Sequence, residues 1–346
     1  MNLENVKKIL DGFGGHTVVV VGDFFLDQYL FIDPALNEIS IETGKIAYQI
    51  VGKRPQPGAA GTVCNNLHAL GIGKLIALTV IGDDGEGYEL RQALAQRHID
   101  IDNVLVSKER FTPTYTKPML KTAEGEEEMN RQDCKNREPL SPSLEREIQK
   151  RLEALAPQAN AVIVADQVQE RNCGIVTDSL REFIADLAPR FPETIFFADS
   201  RERIGEFRNI VIKPNRFEAI QAVEASRKDN FSTPKAIQSA LTLAQRSGKP
   251  VFLTLDKEGI CPVYETAPAP IPCPPVTGPI DIVGAGDSVT AAIVSSLASK
   301  ASLEQAAVIG NLAASITIRQ LGTTGTASPA QVLEAWNANE ELYKDI

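Results

Sequence analysis

The segment "GPIDIVGAGDSVTAA" (278–292) places small residues and an aspartate where a strand-like run gives way to an apolar helix pattern. Glycines allow a backbone to approach a ligand closely, and the free N–H groups at a helix start attract an anion. The carboxylate of Asp287 would repel a static anion, but it suits a base that takes a proton from a group attacking that anion. Free amides beside a carboxylate therefore predict phosphoryl transfer.

Two simpler interpretations of this segment stay open at the level of the sequence. Asp287 could serve only to cap the helix. Ser288 of "GDS" could be the nucleophile of a hydrolase, although all three histidines precede residue 100 and none lies near it in sequence. Neither a GxxxxGK[ST] phosphate loop nor a GxGxxG dinucleotide loop occurs in the chain, so those nucleotide-binding motifs are excluded.

The rest of the chain supplies the elements that must hold these residues. Strand patterns such as "TVVVVGD" (17–23) and "AVIVAD" (161–166) alternate with helix patterns such as "EGYELRQALAQRH" (86–98). This alternation is typical of a mostly parallel sheet covered by helices, whose ligands bind beyond the carboxyl ends of the strands. The predicted fold class is therefore α/β, with "GPIDIV" as one further strand before the "GAGD" turn.

A small second sheet, which we call the lid, is predicted outside the main alternation. Its strands are expected near 29–33, 46–51 and 114–131, where "YLFID", "KIAYQIV" and the hairpin pattern "YTKPMLK" with "EEEMNRQD" occur. The segment Pro262–Pro279 contains seven prolines and is interpreted as a short strand and an extended loop, which makes residues 1–346 a single domain. Exposed lid strands are open edges, and pairing of two lids would cover them, so a homodimer is expected.

Composition limits the class of protein further. The chain has 346 residues, 43% of them hydrophobic and 23% charged, which is typical of a globular protein. Its net charge of −10 argues against a nucleic-acid partner. Five scattered cysteines without CxxC spacing indicate neither a zinc site nor a disulfide framework. Without a signal-peptide pattern or an apolar run of about 18 residues, we expect a cytoplasmic protein that has no membrane partner.

Several motifs together resemble one family. "DIVGAGDSVTAA" resembles the C-terminal signature of the ribokinase-like (PfkB) carbohydrate kinases, and "KPNRFEA" (213–219) resembles their NxxE motif. "VVVVGDFFLDQY" is similar to the family's first strand and sugar-contacting acidic turn, and "GAAGTVCNNLHALG" stands in the place of its glycine-rich signature. "FLTLDKEGI" and "NLAASITIRQLGTTGT" are similar to the adenine-side segments. The motifs follow the family order, and "GDFFLDQY" and "NEISIETG" most resemble the heptose-7-phosphate kinases.

The resemblance implies an ATP-dependent kinase for a hydroxyl of a sugar or sugar phosphate, with Mg²⁺ as a cofactor. It implies Asp287 as the general base and the amides of Gly284, Ala285 and Gly286 as the anion hole. Glu218 would hold the metal through water, because Mg²⁺ keeps much of its hydration. The implied nucleotide-side residues are Asn215, Thr254, Asp256, Gly259 and Asn311. The implied acceptor-side residues are Asp23, Asp27, Gly58, Ala59, Thr62 and Asn66.

Each of these positions also has a simpler interpretation. The Asn215-Glu218 pair is common at solvated helix starts. Asp23 and Asp27 could belong to a turn after a strand, and Asn66 and Asn311 could be satisfied polar residues in packed helices. Arg131, at the end of the charged run "EGEEEMNRQD", is a further acceptor-side candidate, because an arginine fork suits a phosphate.

The chain departs from the family pattern at three positions. Ala59 and Thr62 stand where relatives carry glycine and asparagine, and a pocket that loses a hydrogen-bonding group can discriminate strongly between sugars. Ile282 replaces the common threonine beside a monovalent-cation loop, which leaves K⁺ open as a cofactor. A nucleoside kinase of the same fold and a non-catalytic sugar or nucleotide sensor are the alternative functions. The retained Asp287 argues against the sensor, because binding alone needs no base.

Overall fold

The structure, a computed structural model, describes residues 1–224 and 231–346. The strands are β1 (Thr17–Gly22), β2 (Phe24–Ile32), β3 (Glu38–Ile39), β4 (Ile46–Ala47), β5 (Ile50–Ala59), β6 (Lys74–Gly82), β7 (Val104–Ser107), β8 (Thr114–Thr122), β9 (Gly125–Glu128), β10 (Gln132–Cys134), β11 (Ala161–Asp166), β12 (Ile195–Ser200), β13 (Val211–Ile212), β14 (Val251–Thr254) and β15 (Ile260–Val263). The α-helices are α1 (Leu3–Gly12), α2 (Ala60–Ala69), α3 (Gly85–Ala95), α4 (Pro142–Leu155), α5 (Asp178–Leu187), α6 (Arg216–Val223), α7 (Thr233–Ser247), α8 (Ala285–Ala298), α9 (Leu303–Thr317) and α10 (Pro329–Ala338).

The larger sheet runs in the order β15-β14-β13-β12-β11-β1-β6-β7. Its neighbouring strands are parallel except β14 and β15. Successive side chains of a strand point to opposite faces, so Val18 and Val20 pack into one hydrophobic cluster while Val19 and Val21 pack into another. β1 is therefore covered on both faces, and the predicted mostly parallel sheet between helices is confirmed.

The two helix layers position the start of α8. Apolar residues of α2, α8 and α9 pack with Val18 on one face of the sheet, and those of α4, α5 and α7 pack with Val19 on the other. The side chains of α8 from Ser288 to Ala298 are all buried. This packing fixes the helix, and with it the glycine-rich turn at its first residue, Ala285. None of the helices in the described part of the chain is long and apolar enough to span a membrane.

The second sheet has the order β10-β8-β2-β5, with β9 paired to β8. β2 and β8 are parallel, while β5, β9 and β10 pair antiparallel to their neighbours. The predicted lid segments 29–33 and 114–131 fall in this sheet. The predicted segment 46–51 is divided, because Ile46–Ala47 pairs with Glu38–Ile39 in a separate ladder and β5 begins only at Ile50.

The predicted strand "GPIDIV" is wrong, because residues 278–283 form no strand in the structure. The amide of Asp281 donates to the Ile318 carbonyl, and its carboxylate accepts from the amides of Val283 and Gly322. The apolar residues that suggested a buried strand are exposed, and Ile282 is 70% exposed beside the functional cleft. The proline-rich segment forms strand β15 and an extended loop, as predicted.

Candidate active site

A cleft of about 1020 Å³ opens where β12, β13 and β14 end and α8 begins. Ligands of parallel sheets bind at this edge. The cleft brings together most of the predicted nucleotide-side and catalytic residues, namely Asn215, Glu218, Thr254, Asp256, Gly259, Asn311 and Gly284–Asp287. The described residues that line the cleft include none of the predicted acceptor-side residues, which are Asp23, Asp27, Gly58, Ala59, Thr62, Asn66 and Arg131.

The turn before α8 presents free backbone amides to the cleft. Gly284 is the N-cap and has φ 81°, the left-handed conformation that glycine adopts without strain. Within the described residues, the amides of Gly284, Gly286 and Asp287 have no acceptor, whereas the amide of Ala285 donates to the Ile282 carbonyl over 3.1 Å. Of the three amides predicted to form an anion hole, that of Ala285 closes the turn, and the amides free in the described structure are those of Gly284, Gly286 and Asp287.

The carboxylate of Asp287 lies in the first turn of α8, partly buried, without a hydrogen-bond or ion-pair partner in the described part of the chain. The capping interpretation is wrong, because Gly284 is the N-cap and no side chain caps this helix. Burial raises the pKa of Asp287 to about 7, and the negative charge of Asp199 raises it further. The positive charges of Lys213 and Arg201 oppose this rise. A carboxylate with a pKa near neutrality can accept a proton and release it again.

The hydrolase interpretation of Ser288 is wrong. Its hydroxyl donates to the Ala285 carbonyl over 2.8 Å and lies 3.1 Å from the Thr317 hydroxyl. The side chain is 1% exposed, so no substrate reaches it.

A buried ion pair lies beneath the anion hole. Lys213 Nζ is 3.0 Å from Asp199 Oδ2, and the Thr290 hydroxyl donates to the same oxygen over 3.1 Å. Burial opposes the charge of Lys213, but Asp199 and Glu218 outweigh burial and raise the lysine pKa, so Lys213 remains a cation. A Cβ placed on Gly286 would lie 3.6 Å from Lys213 Nζ, which puts this cation directly beside the free amides.

Sequence reasoning missed both members of this pair. Asp199 is the second-last residue of "TIFFADS" and Lys213 begins "KPNRFEA", so each lies at the end of a buried run in neighbouring parallel strands. A charged residue at the end of a buried strand was the available signal, because the ends of such strands lie at one edge of a sheet.

The Asn215-Glu218 motif forms a capping box at the start of α6. Asn215 Oδ1 accepts from the amides of Phe217 and Glu218, and Glu218 Oε2 accepts from the Asn215 amide over 2.7 Å. The helix-start interpretation is therefore correct for Asn215, but Glu218 is not a solvated residue. Burial, reinforced by the charge of Asp199, raises the pKa of Glu218 to about 7.

Oxygen donors suited to Mg²⁺ face the cleft here. Glu218 Oε1 takes no part in the cap, and the charge of Asp199 acts on both Glu218 and Asp287. The described residues contain no group of three acidic, histidine or cysteine side chains that would bind a metal directly. Glu218 Oε1 is the oxygen here that could hold a hydrated cation, whose remaining ligands would be water and phosphate oxygens.

The nucleotide side of the cleft is built on the turn between β14 and β15. Thr254 ends β14, its amide donating to the Pro214 carbonyl over 3.0 Å, and Asp256 and Gly259 both have positive φ. A Cβ at Gly259 would fall 1.9 Å from the Ile271 carbonyl oxygen, so this position admits only glycine. The side-chain amide of Asn311 is 1% exposed and donates to the Ile271 carbonyl over 2.8 Å, so it holds the proline-rich loop as one wall of the cleft.

Asp23 has a different role from the predicted sugar contact. Its carboxylate is 2% exposed and accepts hydrogen bonds from the amides of Gln167, Val168 and Ile175, at 2.8, 3.0 and 2.7 Å. The adjoining cavity of about 10 Å³ has room for no more than a water molecule. Asp23 therefore anchors the loop that brings Gln167 to the cleft.

Asp27 lies between the lid and the main sheet. Its carboxylate pairs with Lys117 Nζ over 3.2 Å, and this lysine lies 3.3 Å from the Tyr29 hydroxyl. A Cβ on Gly58 would lie 2.5 Å from Asp27 Oδ1, so glycine is required opposite the carboxylate. The charge of Asp27 contributes to the raised pKa of Asp287.

The remaining acceptor-side residues are packed or paired. Thr62 is 3% exposed and lies against the anion-hole turn, since its Cγ2 would be 3.5 Å from a Cβ on Gly284. Asn66 donates to the Thr62 carbonyl over 3.0 Å, which supports its packing interpretation. Arg131 is partly exposed and bonds Asp133 through two nitrogens, at 2.6 and 2.8 Å, so its fork is already engaged.

Ala59, the substituted glycine position, has φ 52° and ψ −118°. Glycine adopts this conformation freely, but a Cβ makes it strained, at about 1–3 kcal/mol. We predict that Ala59→Gly raises the free energy of unfolding by about 1 kcal/mol, because relief of strain exceeds the added chain entropy of glycine, ~0.5–1 kcal/mol. Urea denaturation measures the change. Lys300→Gly is the control, since Lys300 has an ordinary left-handed φ of 63°; an equal gain in both variants would exclude strain at Ala59.

Comparison with known families decides the class of the protein. Residues 56–331 match the model of the pfkB family carbohydrate kinase. The chain belongs to this family. The resemblance inferred from the motifs is therefore confirmed.

Curated relatives within the family include two proteins named Bifunctional protein HldE. The one from Geobacter sulfurreducens is 27% identical over 335 residues, covering 96% of this chain and 65% of that protein. The one from Helicobacter pylori is 27% identical over 308 residues, covering 88% of this chain and 63% of that protein. The chain spans slightly less than two thirds of the length of these relatives.

Solved structures confirm the ribokinase-like fold. The phosphofructokinase-2 from Escherichia coli in complex with potassium has a TM-score of 0.71 at 19% identity, covering 94% of this chain and 99% of that chain. The ribokinase from Arabidopsis thaliana complexed with ribose and ATP has a TM-score of 0.65 at 16% identity, covering 92% and 98%. At these identities the likeness establishes the fold alone.

Proposed function

We propose that the protein transfers the γ-phosphoryl group of ATP to a hydroxyl of a sugar or sugar phosphate, with Asp287 as the general base. The observation that carries this proposal is an unpartnered carboxylate with a pKa of about 7 in the same turn as free amides, within the described residues. A carboxylate in the first turn stabilises the helix but repels a static anion held at the same turn, so its position beside the free amides favours a role as a base.

The residues of the cleft divide the work of the transfer. The acceptor hydroxyl donates its proton to Asp287 as its oxygen bonds to the γ-phosphorus, and the bond between that phosphorus and the oxygen of the departing ADP breaks. The amides of Gly284, Gly286 and Asp287 stabilise the charge on the transferred group. The Lys213 cation, 3.6 Å from the Cβ position of Gly286, adds to this stabilisation. Asp287 later releases its proton to solvent, which a pKa near 7 permits.

Mg²⁺ would be held by Glu218 through water and would neutralise charge on the nucleotide phosphates. Asn215 positions Glu218 through the capping box, because its amide donates to Glu218 Oε2. The proposed nucleotide site comprises Thr254, Asp256, Gly259 and Asn311. Asp27 is the proposed contact for a sugar hydroxyl.

We predict that Glu218→Gln raises the Mg²⁺ concentration for half-maximal activity by about 10- to 100-fold, since a charged group that orients the hydrated metal is lost. Glutamine keeps the capping oxygen, so the helix start should survive. A Mg²⁺ titration of ADP release at fixed ATP measures the effect. Glu224→Gln, at the other end of α6, serves as the control. Equal half-saturation for Glu218→Gln and the wild type would assign Glu218 to the capping box alone.

An ADP-release screen tests the proposed reaction. The panel contains free hexoses, heptose 7-phosphate, fructose phosphates, 2-keto-3-deoxygluconate and nucleosides, each with ATP and Mg²⁺ and with and without K⁺. Turnover of a sugar or sugar phosphate that is lost in Asp287→Asn supports the proposal. Turnover of nucleosides alone would identify a nucleoside kinase. Binding of sugar or nucleotide without ADP release from any compound would indicate a sensor.

We propose that the protein forms a homodimer through the lid. Large apolar side chains of the lid and its adjoining ladder are exposed, namely Ile39, Ile41, Ile46, Ile50 and Val51. Ile41 is 98% exposed, and exposed apolar residues that group on one surface typically mark a protein interface. Sedimentation velocity over a range of concentrations measures the state, and a monomer throughout would contradict the proposal.

A further inference from the structure

One arginine of the cleft stands out because its guanidinium is unpaired within residues 1–224 and 231–346. Arg201 directly follows β12, is exposed, and lines the cleft together with Asp199 and Asp287. Its backbone amide donates to the Asp166 carbonyl over 3.0 Å, which fixes the start of its side chain. In the described part of the chain, its guanidinium makes no ion pair or side-chain hydrogen bond. By contrast, Arg203 two residues later bonds both oxygens of Asp166.

The charge of Arg201 acts on both the base and the lid. It lowers the pKa of Asp287 and of Tyr115 in lid strand β8, and it also lowers the pKa of Glu218. Tyr115 packs on Phe25 with ring centroids 4.9 Å apart. Arg201 therefore lies near the base, within the influence of the lid.

Further cations surround the same lid tyrosine. The Arg131 guanidinium carbon lies 4.1 Å from the centre of the Tyr115 ring, and Lys135 Nζ lies 5.9 Å from it. Asp133 pairs with Arg131 through two hydrogen bonds, and Lys135 lines the small cavity beside Asp23 rather than the cleft, so Arg201 is the unpaired arginine of the cleft within the described residues.

We propose that the acceptor is a phosphorylated sugar, and that Arg201 binds its phosphate while Asp287 faces the hydroxyl that reacts. The inference rests on the proposed kinase function and selects one of its two substrate classes. A guanidinium presents paired N–H donors that match phosphate oxygens. Arg131, the candidate chosen from the sequence, is less suited to this role, because two of its nitrogens already bond Asp133 and it does not line the cleft.

The competing role for Arg201 is stabilisation of the group being transferred, and matched acceptors separate the two. The probes are fructose 6-phosphate with fructose, ribose 5-phosphate with ribose, heptose 7-phosphate with the free heptose, and 2-keto-3-deoxygluconate as a carboxylate. Binding is measured by calorimetry with Mg²⁺ and a non-hydrolysable ATP analogue, and turnover by ADP release. The variants are Arg201→Gln, Arg201→Lys and the control Arg208→Gln, an exposed arginine outside the cleft that pairs with Glu182.

We expect the wild type to bind at least one sugar phosphate more tightly than its free counterpart. Arg201→Gln should weaken binding of that sugar phosphate, and its kcat/KM, by about 10- to 100-fold, the range of a charged hydrogen-bonded contact. The free sugar should change by less than about threefold in the same variant, because it lacks the phosphate that the guanidinium binds. Arg201→Lys should bind the sugar phosphate with an affinity between those of the wild type and Arg201→Gln, because lysine keeps the charge but lacks the paired N–H donors. Arg208→Gln should match the wild type.

Two outcomes would overturn the assignment. If no phosphorylated probe binds the wild type more tightly than its free counterpart, the acceptor site does not select a phosphate. If Arg201→Gln lowers kcat equally for both members of a pair, the arginine acts on the transferred group. Failure of the kinase proposal is distinct, because it would show as selective binding of sugar phosphates without ADP release.

Discussion

Asp287→Asn lowers kcat on the true acceptor by about 10²–10⁴-fold, the usual contribution of a general base. Asparagine keeps the size of the side chain and cannot accept the proton of the attacking hydroxyl. In the wild type, kcat/KM should fall as the pH drops below about 7, since the base must be deprotonated and its pKa is raised to about 7 by burial. The residual activity of Asp287→Asn should lack the part of this pH dependence that comes from the titration of Asp287.

The measurement is steady-state ADP release across the pH range from acidic to alkaline, with the affinity for an ATP analogue determined in parallel. The single tryptophan, Trp336, is buried on α10, so its fluorescence reports whether the variant is folded. Asp186→Asn, at an exposed position of α5 outside the cleft, is the matched control. Wild-type turnover by Asp287→Asn on the true acceptor would end the assignment of the base.

The second large effect is expected at the buried pair under the anion hole. Lys213→Met should destabilise the fold by about 3–5 kcal/mol, because Asp199 is left as a buried charge without its cation. Lys213 also lowers the pKa of Asp287 and of Glu218. Its loss should raise both values further, so the pH below which activity falls should move upward.

The double variant Lys213→Met, Asp199→Asn separates stability from catalysis. It removes both charges, and the carbonyl oxygen of the introduced asparagine side chain can still accept from the Thr290 hydroxyl, which donates to Asp199 in the wild type. We expect urea denaturation to show most of the lost stability restored, while kcat remains low because the cation beside the free amides is still absent. Restored activity in the double variant would show that Lys213 serves the fold alone.

Local motifs were predicted well where neighbouring residues in sequence build the feature. Two features are built from residues close together in sequence: the capping box of Asn215 and Glu218, and the glycine turn at Gly284. Such features can be identified from the sequence without knowledge of the fold. The strand predicted at "GPIDIV" was wrong for a related reason. Alternating apolar residues usually indicate the buried face of a strand. Here Ile280 and Ile282 line the cleft instead, and the sequence pattern does not distinguish a cleft wall from a buried strand face.

Roles that depend on partners far apart in the chain were not predictable. The three amides that bind Asp23 lie 144 to 152 residues away, and they convert a predicted sugar contact into a loop anchor. Arg131 differs, because its partner Asp133 is only two residues away, in β10, and the pairing was still not predicted. The type of a residue shows from the sequence that it could bind a ligand. Whether its side chain is free to do so depends on which groups of the folded protein already bond to it.

The sequence by itself determined the α/β class, the small second sheet, the family and the position of the glycine-rich turn, because each is encoded in periodicity or in a contiguous motif. The tertiary structure decided which charges meet. Asp199 and Lys213 become neighbours because β12 and β13 pair in parallel and end at one edge, and burial of that edge raises the pKa of Asp287 and Glu218 toward neutrality. The tertiary structure also decided that Arg201 lines the cleft, unpaired among the described residues, whereas Arg203 is bound to Asp166. The physical reason is that the interaction between charges depends on their distance in space and on the exclusion of water, and neither can be read from the sequence.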